Sequence, residues 1–330
     1  MKWFVGLHPK YLERKEGMLD DFSKSGADIL FTTIDFVQVG IDYQAKDKIL
    51  VVFIENPRNS SDMWNSLPSL LSELKAKWGE VFIIGPSDNR TREVVESIFP
   101  QRNFFPLWVT LPYSYRLYQK KVEPSYGDYL MAWAYSPVKG RKELEAASVF
   151  VNLQIHDYTT EGSSPTVWAT RMHFESRGLL WASHHDSVSR AFTSAAISRK
   201  AAIMLRTNAQ LFNTYGDLDP EFFNAVLLSE NTWDWLLSAR QVLDNLDYAM
   251  EWGLKLYRFF ERHEEFWKWE IIWERFKDQT GLRLPKDMIP VHHFLPTFFE
   301  ANYFDNEEYF PQGPWSNEPP SVNWETGLGL

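Results

Sequence analysis

The sequence predicts an α/β fold: a mainly parallel sheet with flanking helices, followed by a hairpin and a helical C-terminal half. Three observations carry this expectation. Short apolar runs rich in β-branched and aromatic residues recur through the first 155 residues. Stretches whose apolar residues fall three and four apart separate them, which is the period of one helix face. From residue 187 onward the helical period takes over. Strands alternating with helices pair in parallel, because each crossover helix brings the chain back to the edge from which it left.

The elements follow in order. Lys2 to His8 is a short strand stopped by Pro9, and the amphipathic stretch Tyr11 to Ser25 ends at Gly26, a residue suited to the position just past a helix. Asp28 to Val37, Lys48 to Ile54 and Glu80 to Ile84 read as strands. Ser60 to Trp78 is a helix with Trp64, Leu67, Leu71, Leu74 and Trp78 on one face. Lys48 to Ile54 and Glu80 to Ile84 are expected to be neighbours in one sheet. Leu107 to Leu111 and Ala147 to Ile155 are further strands, with a helix around Tyr126 to Tyr135 between them. Thr166 to Phe174 and Gly178 to Ala182 read as a hairpin. Helical pattern then covers Ser187 to Asn213, Pro220 to Leu228 and Thr232 to Gln279, the last with Leu236, Leu243, Met250 and Tyr257 every seven residues.

The expected domains are therefore 1–186, an α/β domain with the hairpin; 187–286, a helical domain; and 287–330, a tail. The tail has seven acidic residues, no Lys or Arg, and the aromatics Phe294, Phe298, Phe299, Tyr303, Phe304 and Trp315. So many aromatics are expected to dock on the body or on a neighbouring subunit, which makes a homo-oligomer through the tail possible.

Composition excludes several classes. With no cysteine in 330 residues, zinc ribbons, iron–sulfur clusters and thiol nucleophiles are ruled out. A net charge of -10 argues against nucleic acid as the main ligand, since that affinity comes from Lys and Arg displacing counterions. Apolar runs are strand-sized rather than membrane-sized and the first residues do not form a signal sequence, so a cytoplasmic protein with no membrane partner is expected. Walker-type, Gly-x-Gly-x-x-Gly, Gly-x-Ser-x-Gly and His-Glu-x-x-His motifs are absent.

Residues 48–96 form the strongest local pattern. The strand KILVVFI runs into Glu55-Asn56-Pro57-Arg58-Asn59, a helix follows, and the strand EVFII runs into Gly85-Pro86-Ser87-Asp88-Asn89-Arg90-Thr91 ahead of another helix. Ligands in such folds sit outside the carboxyl ends of strands, and both loops are expected on that edge. Ser87, Asp88 and Asn89 also suit plain helix capping. Three histidines and two Asp form a second group, at His156-Asp157 and His184-His185-Asp186, each at the end of an expected strand. If those strands are neighbours, one ion can take Asp157 and either His184 or His185. His173 is a further candidate ligand. Adjacent histidines on a strand face opposite ways, so one of the pair is expected to face the site. Asp217-Leu218-Asp219-Pro220 reads as a turn entering a helix.

The 48–157 region resembles the nucleotide-sugar domain of GT-A-type glycosyltransferases, a Rossmann-like fold. The resemblance rests on Asn56-Pro57-Arg58-Asn59 after the first strand and on Ser87-Asp88-Asn89-Arg90-Thr91, which matches a Ser-x-Asp-x-Thr turn with Asn89 in place of Asp. Gly85-Pro86 stands where the family commonly has acidic residues. The resemblance implies that Asn56, Arg58, Ser87 and Asn89 line the nucleotide side, and that Asp157, with His156, sits where the family holds a divalent cation. A carboxylate with imidazole suits manganese, whereas magnesium would prefer more oxygen ligands. The implied function is metal-dependent transfer of a sugar from a nucleotide-sugar donor to an unknown acceptor, with Asp186 or Glu161 as base. The rival reading is a self-assembling structural protein such as a viral capsid or coat subunit, which the high aromatic content and the clasp-like tail fit.

Overall fold

The computed structural model describes residues 1–6, 15–34, 43–54, 61–86, 89–107, 118, 121–133, 140–156, 165–182, 190–206, 216–282, 322–323 and 328–329. The chain divides into two compact units. The first comprises Met1–Thr110 and Glu265–Asn317, the second Leu111–Glu264 and Glu318–Leu330. Most of the acidic tail lies outside the described residues; within it, Val322 to Asn323 (β11) pairs antiparallel with Leu328 to Gly329 (β12).

Unit 1 is a five-stranded sheet in sequential order, β1 (Trp3–Val5), β2 (Ile29–Thr33), β3 (Ala45–Phe53), β4 (Trp78–Pro86) and β5 (Phe104–Leu107), every pair parallel. Lys48–Ile54 and Glu80–Ile84 are neighbours as expected, with Leu50 opposite Val81 and Val52 opposite Ile83. A sheet that always steps the same way through right-handed crossovers places its helices on one face. That face holds Leu30, Leu50, Val52, Ile54, Val81 and Ile83 against Phe22, Leu67, Leu71, Leu74 and Val95 from the helices Lys15–Ser25, Ser61–Lys77 and Asn89–Ile98. Gly26 adopts φ +64° just past the first of these, the left-handed terminus expected there.

The alternate residues of the same strands, Phe31, Val51, Phe53, Phe82, Ile84 and Phe105, point to the other face and are fully or almost fully buried. Among the described residues no crossover helix covers them. The helix Trp269–Thr280, reached after the first segment of unit 2, Leu111–Glu264, does. Phe276 meets Phe82 at 5.5 Å and Phe105 at 4.9 Å between ring centroids, and Trp273 meets Phe31 at 5.8 Å. The Arg275 guanidinium donates to the Pro106 carbonyl at 3.3 Å.

Unit 2 is a second parallel sheet, in the order β10 (Leu227–Ser229), β9 (Ala201–Leu205), β8 (Ser176–Trp181), β6 (Tyr129–Trp133), β7 (Leu153–His156). The chain steps outward from β6 to β7, then turns back past β6 to β8 and on to β9 and β10. One face packs Leu130, Ala132, Leu180 and Ile203 against Leu144 and Ala147 of the helix Arg141–Ala147 and against Trp235, Ala239 and Val242 of the helix Thr232–Asp244. Gly253, in the helix Leu246–Arg262, lies against the turn before β9: a Cβ there would stand 1.9 Å from the Arg199 carbonyl oxygen. Gly253→Ala is therefore expected to cost about 2–4 kcal/mol, read as a lowered denaturation midpoint, because backbone rather than a pliant side chain must give way.

The parallel sheet with flanking helices is the class the sequence predicted, and four details differ. The expected helix at Tyr126–Tyr135 is the strand β6, and part of Ser187–Asn213 is β9; all five residues of each strand are buried, so neither shows alternation. The hairpin is absent: Thr166–Phe174 lies in the helix Pro165–Phe174, with Trp168 and Met172 buried one turn apart, and β8 pairs in parallel on both sides. Val149 and Phe150, expected within a strand, occupy an exposed turn before β7. Thr232–Gln279 is three helices, the first break falling at Asn245, whose side-chain oxygen accepts from the Tyr248 amide at 3.0 Å and caps the second. The two units accordingly cut the chain elsewhere than 1–186, 187–286 and 287–330, since β9 and β10 complete the second sheet inside the stretch read as helical.

Candidate functional site: the carboxyl edges of the two sheets

In an open parallel sheet the strand carboxyl ends are where backbone groups and loop side chains face a ligand. In unit 1, β3 and β4 end side by side, with the Ile54 amide donating to the Ile84 carbonyl at 2.8 Å. Gly85 lets them close up, since an added Cβ would stand 3.2 Å from Ile54 Cβ. The loops expected to carry the nucleotide-side residues thus leave adjacent strand ends. Asn89 is half-buried and opens the helix Asn89–Ile98. Asn56, Arg58 and Ser87 lie outside the described residues.

Unit 2 offers a more specific position. Because the chain runs β6 to β7 in one direction and β7 to β8 in the other, the sheet has a topological switch point between β6 and β8, where connections leave the strand ends toward opposite faces. The strands end there in Trp133 and Trp181, both largely buried. Trp133 stands edge-to-face on Trp168 with centroids 5.2 Å apart, and Trp181 on Phe192 at 5.1 Å. Gly140, with φ +73°, brings the chain back against the end of β8: a Cβ would stand 2.0 Å from the Ala182 carbonyl oxygen. The helix Arg141–Ala147 starts from that contact.

His156 is the last residue of β7, opposite Trp133 in register and half-buried. Asp157 follows it in the chain; His184, His185 and Asp186 follow β8. Asp157, Glu161, His184, His185 and Asp186 all lie outside the described residues. The sheet order corrects one premise of the shared ion: β7 and β8 are not neighbours, because β6 runs between them. Two strand spacings, roughly 9.5 Å, separate their axes. Among the described residues no group of three or more His, Asp or Glu side chains could hold a metal ion.

His173 is excluded from this edge. It sits at the end of the helix Pro165–Phe174, almost fully buried at the amino end of the sheet, where its ring bonds the Ser198 hydroxyl and the Val122 carbonyl, each at 3.1 Å. Asp217-Leu218-Asp219 occupies the turn entering the helix Asp219–Ala225, as expected. Sequence reasoning missed Trp133, Gly140 and Trp181. The legible signal was a lone glycine directly ahead of an amphipathic helix, at Lys139-Gly140-Arg141.

Fold and edges together define a two-unit α/β protein with a parallel sheet in each unit. No family model and no curated protein matches the chain. Among solved structures, the crystal structure of the GtfA/B complex is similar at a TM-score of 0.42 and 12% identity over 76% of this chain; the chain spans 61% of that one. A likeness of this degree carries no functional argument. No helix among the described residues is long and apolar enough to cross a membrane.

Proposed function

We propose that the protein is a glycosyltransferase acting on a nucleotide-sugar donor. The observation that carries the proposal is the switch point between β6 and β8, with the His184-His185-Asp186 run directly after β8 and the Asp157 strand end on the other side of β6. Support comes also from the adjacent ends of β3 and β4, from which the Asn56–Arg58 and Ser87–Asn89 segments follow. In this reading Asn56, Arg58, Ser87 and Asn89 hold the nucleotide by hydrogen bonds and one guanidinium charge. Arg58 is suited to a diphosphate because its planar fork meets phosphate oxygens two at a time.

Asp157 with one of His184 or His185, and His156 beside them, would hold a divalent ion, manganese by donor type or magnesium if more oxygens join. When bound, such an ion neutralises charge developing on the departing diphosphate. Asp186 or Glu161 would take the proton from the acceptor hydroxyl.

Thermal shift against a panel of nucleotide sugars, with and without manganese, tests the reading. One donor is expected to raise the melting temperature, and Arg58→Ala to remove most of that rise. Manganese titrated into wild type by calorimetry is expected to bind, with affinity falling as pH drops through the imidazole range near ~6.5. Asp157→Asn is expected to lose most of that binding with the fold intact. No donor response, together with large assemblies by light scattering, would return the self-assembly reading.

A further inference from the structure

The helix Leu246–Arg262 is seated firmly along one side and carries an exposed apolar row along another. Ala249, Gly253, Leu256, Phe259 and Phe260 are buried in unit 2, and the close approach of Gly253 to the Arg199 carbonyl fixes how the helix is turned. Leu246, Met250 and Leu254 are 42%, 44% and 37% exposed. Successive residues step round a helix by about 100°, so three side chains spaced four apart lie within about 80° of one another, in a row along its length. Single exposed apolar side chains are ordinary, whereas a row spanning two turns marks a contact surface. Met250 belongs to the seven-residue repeat Leu236, Leu243, Met250, Tyr257, but the break at Asn245 turns it away from the core that Leu236 and Leu243 pack against.

The charged side chains of this helix divide into two groups. Glu251 pairs with Lys255 at 2.8 Å, Lys255 stands 4.0 Å from the centre of the Trp252 ring, Glu261 bonds the Tyr257 hydroxyl, and Arg262 pairs with Glu221. Asp247 and Arg258, both exposed, have no ion-pair partner among the described residues. By the same rotation they lie at about 100° and 120° from Leu246, beside the apolar row and on one flank of it. The helix dipole accounts for an acid near the amino end and a base near the carboxyl end, but not for their sharing a flank.

We propose that this face is a dimer interface, in which the helix Leu246–Arg262 packs antiparallel on the same helix of a second copy of the chain. An isologous contact has to match its own reversal. This face does so, because one two-fold axis level with Trp252 serves both kinds of contact. It sets Met250 of each copy against Leu254 of the other, and Asp247 of each against Arg258 of the other. Like flanks meet in an antiparallel pair, so acid falls opposite base at both ends. A parallel pair would stand Asp247 on Asp247 and Arg258 on Arg258. Three apolar side chains and one acid and one base from each copy cover less than the roughly 800 Å² per partner of a standard interface, so the dimer is expected to be weak, with a dissociation constant of about 10–100 μM. The inference is independent of the nucleotide-sugar reading.

Sedimentation velocity of the full chain across about 5–500 μM tests this, and wild type is expected to pass from monomer to dimer within that range. Met250→Glu, which sets a carboxylate against Leu254 on both sides of the axis, is expected to weaken association at least about tenfold. Asp247→Arg and Arg258→Asp each oppose like charges and are expected to weaken it about tenfold, while the double variant, with the charges exchanged, is expected to return to within about threefold of wild type. Wild type that stays monomeric throughout overturns the proposal. So does a dimer that Met250→Glu leaves intact, which would place the contact elsewhere, the acidic tail included. Charge variants that show no loss, or a double variant that shows no recovery, overturn the antiparallel pairing and the proposal with it. All three positions are exposed. Should a charge variant not fold, as judged by its melting temperature, wild type and Met250→Glu decide by the same criteria.

Discussion

Replacing Phe276 by alanine is expected to lower the unfolding free energy by about 3–5 kcal/mol, the usual cost of truncating a buried aromatic in a packed core. Phe276 is fully buried and packs its ring within 6.5 Å, centroid to centroid, of Trp3, Phe82, Phe105 and Trp273. Those partners belong to three strands and the return helix, so the cavity cannot be filled by one side chain shifting. Chemical denaturation of unit 1 is the measurement. A loss below about 1 kcal/mol would mean that the second face of the sheet is not sealed as described.

The second large effect is a pH dependence of stability traceable to Lys200. Folded, its ammonium titrates at about 7; unfolded, at the ordinary 10.5. In that window the unfolded chain binds the extra proton, so stability rises as pH rises. The slope is about 1.4 kcal/mol per pH unit, or about 2–3 kcal/mol between pH 7.5 and 9.5. Lys200→Met is expected to flatten that rise, whatever it does to absolute stability. Denaturation curves of the two proteins at the two pH values compare the slopes directly, and parallel slopes would reassign the dependence to other groups.

How far the sequence reveals such features depends on the burial of each segment. The helix Ser61–Lys77 was legible because Leu67, Leu71 and Leu74 repeat on one side and Ser69, Ser72 and Lys75 on the other. The pairing of β3 with β4 was legible from two apolar runs separated by that helix. The strands YLMAW and AAIML were not, because residues buried on both faces leave no period to read. Sheet order was also hidden. Whether β7 lies beside β8 or beyond β6 depends on pairing between distant segments, and nothing in the local residues of either strand encodes it. The sequence therefore led to the strand ends bearing His156-Asp157 and His184-His185-Asp186 but not to the spacing between them. Likewise His173, plausible as a ligand by composition, is a buried ring hydrogen-bonded to the Ser198 hydroxyl and the Val122 carbonyl.

The sequential strand order of unit 1 has a consequence in time as well as space. A ribosome delivers the five strands of the first sheet within the first 107 residues, yet the helix that seals their second face emerges only at Trp269–Thr280. All ten strands of the two large sheets, and the polypeptide of unit 2 up to Glu264, are by then already synthesised. The sheet begun first is finished last, and during that interval a surface carrying Phe31, Phe53, Phe82 and Phe105 is open to chaperones and to neighbouring chains. Yield during synthesis is therefore expected to depend on how quickly translation reaches Trp269–Thr280, and not on the stability of the finished fold alone.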